Sequence, residues 1–143
     1  MITAKLGTVS HGTMRPEDLI PDFCWELRYL GHRSSELTAI EKRSNKPEYY
    51  DTEEAMWDLE TLFNMLDEHS PDGAYFGSHP GDGSDYGFWV DESIEWDFDG
   101  LKVNDLADVP RGYRGYVLVV NDHGNMTLYT KTARKLIEHW AVV

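Results

Sequence analysis

Cysteine occurs once in this 143-residue chain, at position 24. One thiol excludes an internal disulfide and any cysteine-rich zinc site. No stretch approaches the roughly 18 consecutive apolar residues that a membrane-spanning helix needs. Residues 1–6, Met1-Ile2-Thr3-Ala4-Lys5-Leu6, lack the apolar core of a secretory leader. Together these absences lead us to expect a protein of the reducing cytoplasm, without a membrane partner. Internal repeats and low-complexity tracts are also missing. The most telling shortage is of positive charge in one long stretch. Between Pro47 and Pro110 there is a single basic residue, Lys102, against eighteen acidic ones.

The chain as a whole carries a formal charge of −13. The flanks, 1–46 and 111–143, are both slightly positive, so the negative charge is a block rather than a general excess. A block of one sign projects a field over about a Debye length, roughly 8–10 Å at ordinary salt. It repels anionic lipid and the nucleic-acid backbone, which attract Lys and Arg. It favours a basic protein or nucleoprotein complex as partner, and argues against direct nucleic-acid binding.

High charge alone would suit a disordered chain, but disordered segments are poor in aromatics. Here 41% of residues are hydrophobic and 13% aromatic, and many of the aromatics, including Trp57, Phe76, Trp89 and Trp96, lie inside the acidic block. The expectation is a single folded α+β domain over 1–143, its acids on the solvent side.

A first helix is predicted from near Thr13, with Pro16 in its first turn and Leu19, Phe23, Leu27 and Leu30 as its apolar stripe. Pro21 predicts a break near Ile20, and Gly31 a carboxy-terminal cap. Residues 32–48 read as a loop or short helix. A second helix is predicted with Asp51 as N-cap and Glu54 completing a capping-box-like pair. Its buried stripe is Met56, Leu59, Leu62, Phe63 and Leu66. Asp51, Glu54 and Asp58 would line one exposed side, and Glu53, Glu60 and Asp67 another. Beyond Gly73 the chain reads as strands: 74–78 and 86–90 around a long tip, then 93–101, 113–120, 126–131 and 136–143. The sum is two helices packed on an antiparallel sheet of five to six strands.

Over 93–101 the alternation is clean. Ile94, Trp96 and Phe98 would face one way, and Glu95, Asp97 and Asp99 the other. Alternate residues of a strand lie about 6.6 Å apart, close to the roughly 6–7 Å between neighbouring phosphates of a nucleic-acid strand. Such a row could occupy a surface built for DNA or RNA. The plainer reading is a solvated edge strand whose charges discourage aggregation. The candidate partner-binding residues are therefore Glu53, Glu54, Asp58 and Glu60 on the second helix, and Glu95, Trp96, Asp97 and Asp99 on this strand. Carboxylates paired with an aromatic such as Trp96 or Trp57 would supply the binding energy.

The string Tyr75-Phe76-Gly77-Ser78-His79-Pro80-Gly81-Asp82-Gly83-Ser84-Asp85-Tyr86-Gly87-Phe88-Trp89 is the most unusual. His79, Asp82 and Asp85, with His123, are the candidate ligands of an alternative metal-binding or enzymatic reading. Their spacing matches no standard metal loop, since an EF-hand would need an acid where Ser93 stands. A structural turn is the competing account. No nucleophile elbow is present, and Cys24 sits in a helical stripe as a small core residue. The reading is of a protein without a cofactor or resident metal, and not of an enzyme. Arg111, Arg114, Lys131, Arg134 and Lys135 give the last third an opposite charge, and such a dipole favours two-fold or head-to-tail association, so a homodimer is an open expectation.

Three strings, His11-Gly12-Thr13-Met14-Arg15 with Asp18-Leu19-Ile20, then Tyr75–Trp89, then Val120-Asn121-Asp122-His123-Gly124-Asn125-Met126-Thr127-Leu128-Tyr129, resemble a group of small proteins encoded by phages and other mobile elements. The resemblance implies a genetic setting and assigns no residue a role. With the acidic block, it leads to the expectation of an inhibitor of a host nucleic-acid-binding defence complex, of anti-CRISPR or anti-restriction type. An acidic accessory protein without mimicry is the alternative.

Overall fold

The computed structural model describes residues 2–143. Four helices, α1 Pro16–Tyr29, α2 Ser35–Arg43, α3 Glu53–Asp67 and the single turn α4 Ile94–Asp97, are joined by seven strands. The strands are β1 Gly7–His11, β2 Tyr75–His79, β3 Asp82–Trp89, β4 Leu101–Val103, β5 Gly115–Val120, β6 Met126–Lys131 and β7 Leu136–Val142. The α+β class is as expected, but the strands divide between two sheets, β1-β3-β2 and β4-β5-β6-β7. The chain divides into two compact units. One comprises residues 1–70 and 74–89, the other residues 71–73 and 90–143.

In the first unit α1 runs unbroken through Pro21. That proline lies on the exposed side, where solvent is the partner for the carbonyl left without its helical donor. The helix ends at Gly31, φ +74°. The Gly31 amide donates to the Arg28 carbonyl (3.0 Å) and the His32 amide to that of Leu27 (2.9 Å), the paired Schellman bonds that only a left-handed residue allows. Residues 35–43 form a full helix, α2, because Ser34 caps it by accepting from the Leu37 amide at 3.1 Å. The N-cap of α3 is Thr52, which accepts from Ala55, and not Asp51. Asp51 closes a 3-10 turn over Pro47–Asp51.

The core of this unit joins Leu19, Phe23 and Leu27 of α1, Leu37 and Ile40 of α2, and Leu62 and Leu66 of α3 to Phe76 and Phe88 of the sheet. Phe23 makes edge-on contacts with Phe63 and Phe76, both at 5.2 Å. Such pairs add specificity beyond the burial of area. β1, absent from the sequence reading, pairs with the central strand β3 across a bulge between Thr8 and Ser10. A Cβ on Gly87 would sit 2.1 Å from the Gly7 carbonyl oxygen. Glycine is therefore the residue that lets the two backbones approach there.

In the second unit Val117, Leu118, Val120, Met126, Leu128 and Trp140 are buried. β5, β6 and β7 are antiparallel, with Leu118 opposite Leu128 and Leu128 opposite Trp140. β4 pairs parallel to β5, unlike the all-antiparallel expectation. The Trp140 indole donates to the Asp72 carbonyl at 2.8 Å, and Lys131 donates to the carbonyls of Arg111 and Tyr113 at 2.9 and 3.0 Å. Lys131 thus closes the loop ahead of β5.

Among the described residues no helix is long and apolar enough to cross a membrane.

Candidate interaction surface

α3 sorts its side chains by angle. Ala55, Asp58, Leu59, Leu62, Met65 and Leu66 face inward. Glu53, Met56, Trp57, Glu60, Asn64 and Asp67 are exposed, and the i, i+3 and i, i+4 spacings put them on one strip. Met56 is 56% and Trp57 63% exposed. Glu53 lies one turn before Trp57 and Glu60 one turn after it, and no basic residue interrupts the strip. Met56, placed in the buried stripe by sequence, belongs to this outer face. The helix is rotated because Ala55 and Met65 take inward positions.

Asp58 corrects the predicted acidic line Asp51–Glu54–Asp58. It is 7% exposed. Arg43 grips it at both oxygens, at 3.0 and 2.8 Å, and the Tyr49 hydroxyl donates to it at 2.6 Å. Arg43 also reaches Glu54 at 3.3 Å. Burial, then the hydrogen bond to Asp58, pushes the Tyr49 phenol well up from its ordinary value. The Asp58 charge therefore serves to tie α2 and the 3-10 turn to α3. A buried carboxylate requires such partners. The sequence signal for it was Asp58 falling between the apolar positions Ala55, Leu59 and Leu62.

The predicted strand over 93–101 is not present, so Glu95, Asp97 and Asp99 form no linear carboxylate row. Residues 94–97 make a helical turn, α4. Asp91 starts it by accepting from the Ser93 amide at 2.9 Å, and that bond holds the Asp91 carboxyl below its ordinary value. Ile94 and Phe98, four residues apart, are half-buried, while Trp96 is 78% exposed. The alternation fits a helical turn as well as a strand. Asp97 and Asp99 are exposed and Glu95 is half-buried. Lys102, the single base of the acidic block, donates to the Glu95 carbonyl at 3.0 Å and lies 5.4 Å from the Trp96 ring centroid. A cation thus sits over one face of the aromatic, which stays mostly exposed, and offsets the local field.

The Gly-rich string is a tight hairpin with Pro80-Gly81 at its tip, rather than a long loop, since His79 pairs with Asp82. The His79 ring meets Trp89 edge-on at 4.7 Å and accepts from the Gly81 amide at 2.9 Å. Asp82 Oδ1 accepts from Ser84 N and Oγ at 3.0 and 2.9 Å, and these bonds hold its carboxyl below the ordinary range. His11 lies 3.3 Å from Asp82 Oδ2. Asp85 is in β3, opposite His11. His123 belongs to the second unit, in the turn before β6. Among the described residues no three His, Cys, Asp or Glu side chains are grouped so as to hold a metal ion. Burial pushes the Cys24 thiol up to about 12, which keeps it protonated and unreactive at neutral pH.

One exposed pair went unread in the sequence. Trp25 and Tyr29 stack in parallel on the outer side of α1, centroids 5.6 Å apart. Their spacing of four, out of phase with the Leu19–Phe23–Leu27 stripe, was the available signal.

Comparison with protein-family models, with curated proteins and with solved structures finds no match. The functional reading rests on the chemistry of the surface.

Proposed function

We propose that this protein is a non-catalytic inhibitor that docks the outer face of α3 on a basic, nucleic-acid-binding surface of a host defence complex, of anti-CRISPR or anti-restriction type. The observation that carries the reading is a large exposed apolar pair, Met56 and Trp57, flanked by Glu53 and Glu60 and free of any base. Isolated surface apolar residues are ordinary, but an exposed Trp beside a Met amid charges of one sign is the composition of a binding hot spot with a charged rim. The block of eighteen acids against one base supplies the steering field. The resemblance to mobile-element proteins supports the host setting.

Within this reading the docking strip is Glu53, Trp57 and Glu60, with Glu54 at its edge. Asp58 acts only by holding the helix. Glu95, Asp97 and Asp99 contribute general negative charge, not a phosphate-like row, and the neutral Trp96 lies outside the strip.

The test is capture of partners by the tagged protein from host lysate at about 50 and 200 mM salt, with identification by mass spectrometry. Salt-released recovery of a nucleic-acid-binding complex, lost with Trp57→Ala and with Glu53→Lys/Glu60→Lys, is the expected result. Capture of a partner with no basic groove would favour an acidic accessory protein without mimicry. Capture unaffected by any α3 substitution would overturn the assignment of the surface.

A further inference from the structure

His69, just beyond α3, is 1% exposed. Its Nδ1 lies 2.7 Å from the Ile2 carbonyl oxygen and its Nε2 2.8 Å from Nδ1 of His32. Its own carbonyl accepts from the Ala4 amide at 2.8 Å. The residue therefore holds the amino-terminal segment by side chain and by backbone at once.

The protons of this pair follow from its partners. A carbonyl only accepts, so His69 Nδ1 carries a proton. The Nε2 of neutral His69 is then a bare acceptor, and His32 Nδ1–H donates to it. His32 Nε2 is left as the open basic site. One added proton goes there and keeps the His32–His69 bond, now charge-assisted. A second must go to His69 Nε2, and two N–H groups then face each other at a distance that only a hydrogen bond tolerates, with the His69 ring buried. We propose that His32 and His69 form a two-stage proton latch on residues 2–6, closed with no or one added proton and opened by the second.

The surroundings of His32 bear on the first stage. Burial holds the His32 imidazole below its ordinary value, Arg28 on α1 acts in the same direction, and Glu68 at the end of α3 opposes them, while repulsion from His69 enters only once both rings are charged. A depressed histidine leaves stability intact above its unfolded value of about 6.5 and withdraws it as pH falls through the lower folded value. The amino-terminal segment lines a cleft of about 300 Å³ with Tyr29, Leu30 and Phe88. Opening the latch uncovers that apolar wall.

Amide hydrogen exchange read by NMR between pH 7.5 and 4 tests this. The probe is the Ala4 amide, with Leu62 in the core as control. The expected result is Ala4 protection that falls about tenfold per pH unit below the second protonation, the slope for one proton, while Leu62 stays protected. In His32→Asn the side-chain amide stands where Nδ1 stood and can turn to offer either its N–H or its oxygen. The latch then stays closed, and Ala4 keeps its protection to pH 4. Two results would overturn the proposal. One is wild-type Ala4 protection that is flat with pH, or lost only together with Leu62. The other is a folded His32→Asn variant that releases Ala4 at the wild-type pH. The wild-type profile decides even where the variant fails to fold.

Discussion

α3 and the stretch from Asp91 to Asp108 are both acidic and both punctuated by tryptophan, yet they make different surfaces. In α3, fifteen helical residues are backed by a continuous apolar core; Glu54 pairs with Arg43 and Asp67 accepts from the Phe76 amide at 2.9 Å, whereas Glu53 and Glu60, on either side of Trp57, are left out of such bonds. In 91–108 the backbone turns repeatedly, and acids are used to make the turns. Asp91 accepts from Ser93, and Asp105 accepts from the Ala107 amide at 2.9 Å to cap a 3-10 turn over Leu106–Asp108. Lys102 is folded back on Glu95 and Trp96. A count of carboxylates therefore does not locate a docking face. What distinguishes one is charge that local structure has left unused, beside an apolar side chain that the core has left outside.

The largest test of this contrast removes the α3 carboxylate most deeply engaged by the structure, Asp58. Asp58→Ala leaves Arg43 and Tyr49 without their shared acceptor, and should lower unfolding free energy by about 2–3 kcal/mol, less than a fully buried pair would give because Arg43 is 35% exposed. Asp97→Ala, at an exposed carboxylate of α4, should change it by no more than about 0.5 kcal/mol. Urea denaturation of both measures the difference. Equal effects would mean that Asp58 is not the tie described.

Next is the aromatic pair. Trp57→Ala should weaken binding to the captured partner by about 2 kcal/mol, roughly 30-fold, without loss of stability. Trp96→Ala should cost less than about 1 kcal/mol, since Lys102 sits over one face of that ring and offsets the charge around it. Calorimetric titration compares them, and a larger loss at Trp96 would move the docking face to the second unit.

A smaller effect separates the charges. Glu53→Lys with Glu60→Lys should slow association about tenfold at low salt and flatten its salt dependence. Glu95→Lys with Asp97→Lys and Asp99→Lys should slow it only about two- to threefold, as a general loss of field. Stopped-flow association at several salt concentrations reads both.

The same contrast explains what the sequence made legible. Long periodic segments were read correctly in kind, because α1 and α3 repeat apolar residues at helical spacing over four turns. Gly31 ends its helix and Met126–Lys131 forms its strand as their local chemistry predicts. The docking strip was only half legible. Glu53 and Glu60 were placed outward, but Met56 was placed inward and Asp58 outward, since hydropathy does not show that Arg43 and Tyr49, 15 and 9 residues away, come to neutralise a carboxylate. Over 94–98 the residues Ile-Glu-Trp-Asp-Phe satisfy a period of two and a spacing of four equally. The turn is made by backbone bonds from Ile94 to Asp91 and from Trp96 and Asp97 to Ser93, with the Asp91 carboxylate accepting from the Ser93 amide. β1 was missed because its five residues, Gly-Thr-Val-Ser-His, carry one large apolar side chain, and its pairing depends on Gly87, nearly eighty residues on.

The smallest expected effect concerns how each acidic stretch begins. Thr52 caps α3 through its hydroxyl, so Thr52→Ala should cost about 1 kcal/mol. Ser93 precedes α4 without a side-chain cap bond; its amide donates to Asp91, and its carbonyl accepts from the Trp96 and Asp97 amides. Ser93→Ala keeps that amide and should be neutral within about 0.3 kcal/mol, whereas Asp91→Ala removes the acceptor and should loosen the turn. Exchange of the Ser93 amide, faster in Asp91→Ala and unchanged in Ser93→Ala, would show that the first acid of this stretch is a structural residue. If Asp91→Ala left that exchange unchanged while weakening partner binding, Asp91 would belong with Glu53 and Glu60, and the division between used and unused carboxylates would fail at its clearest point.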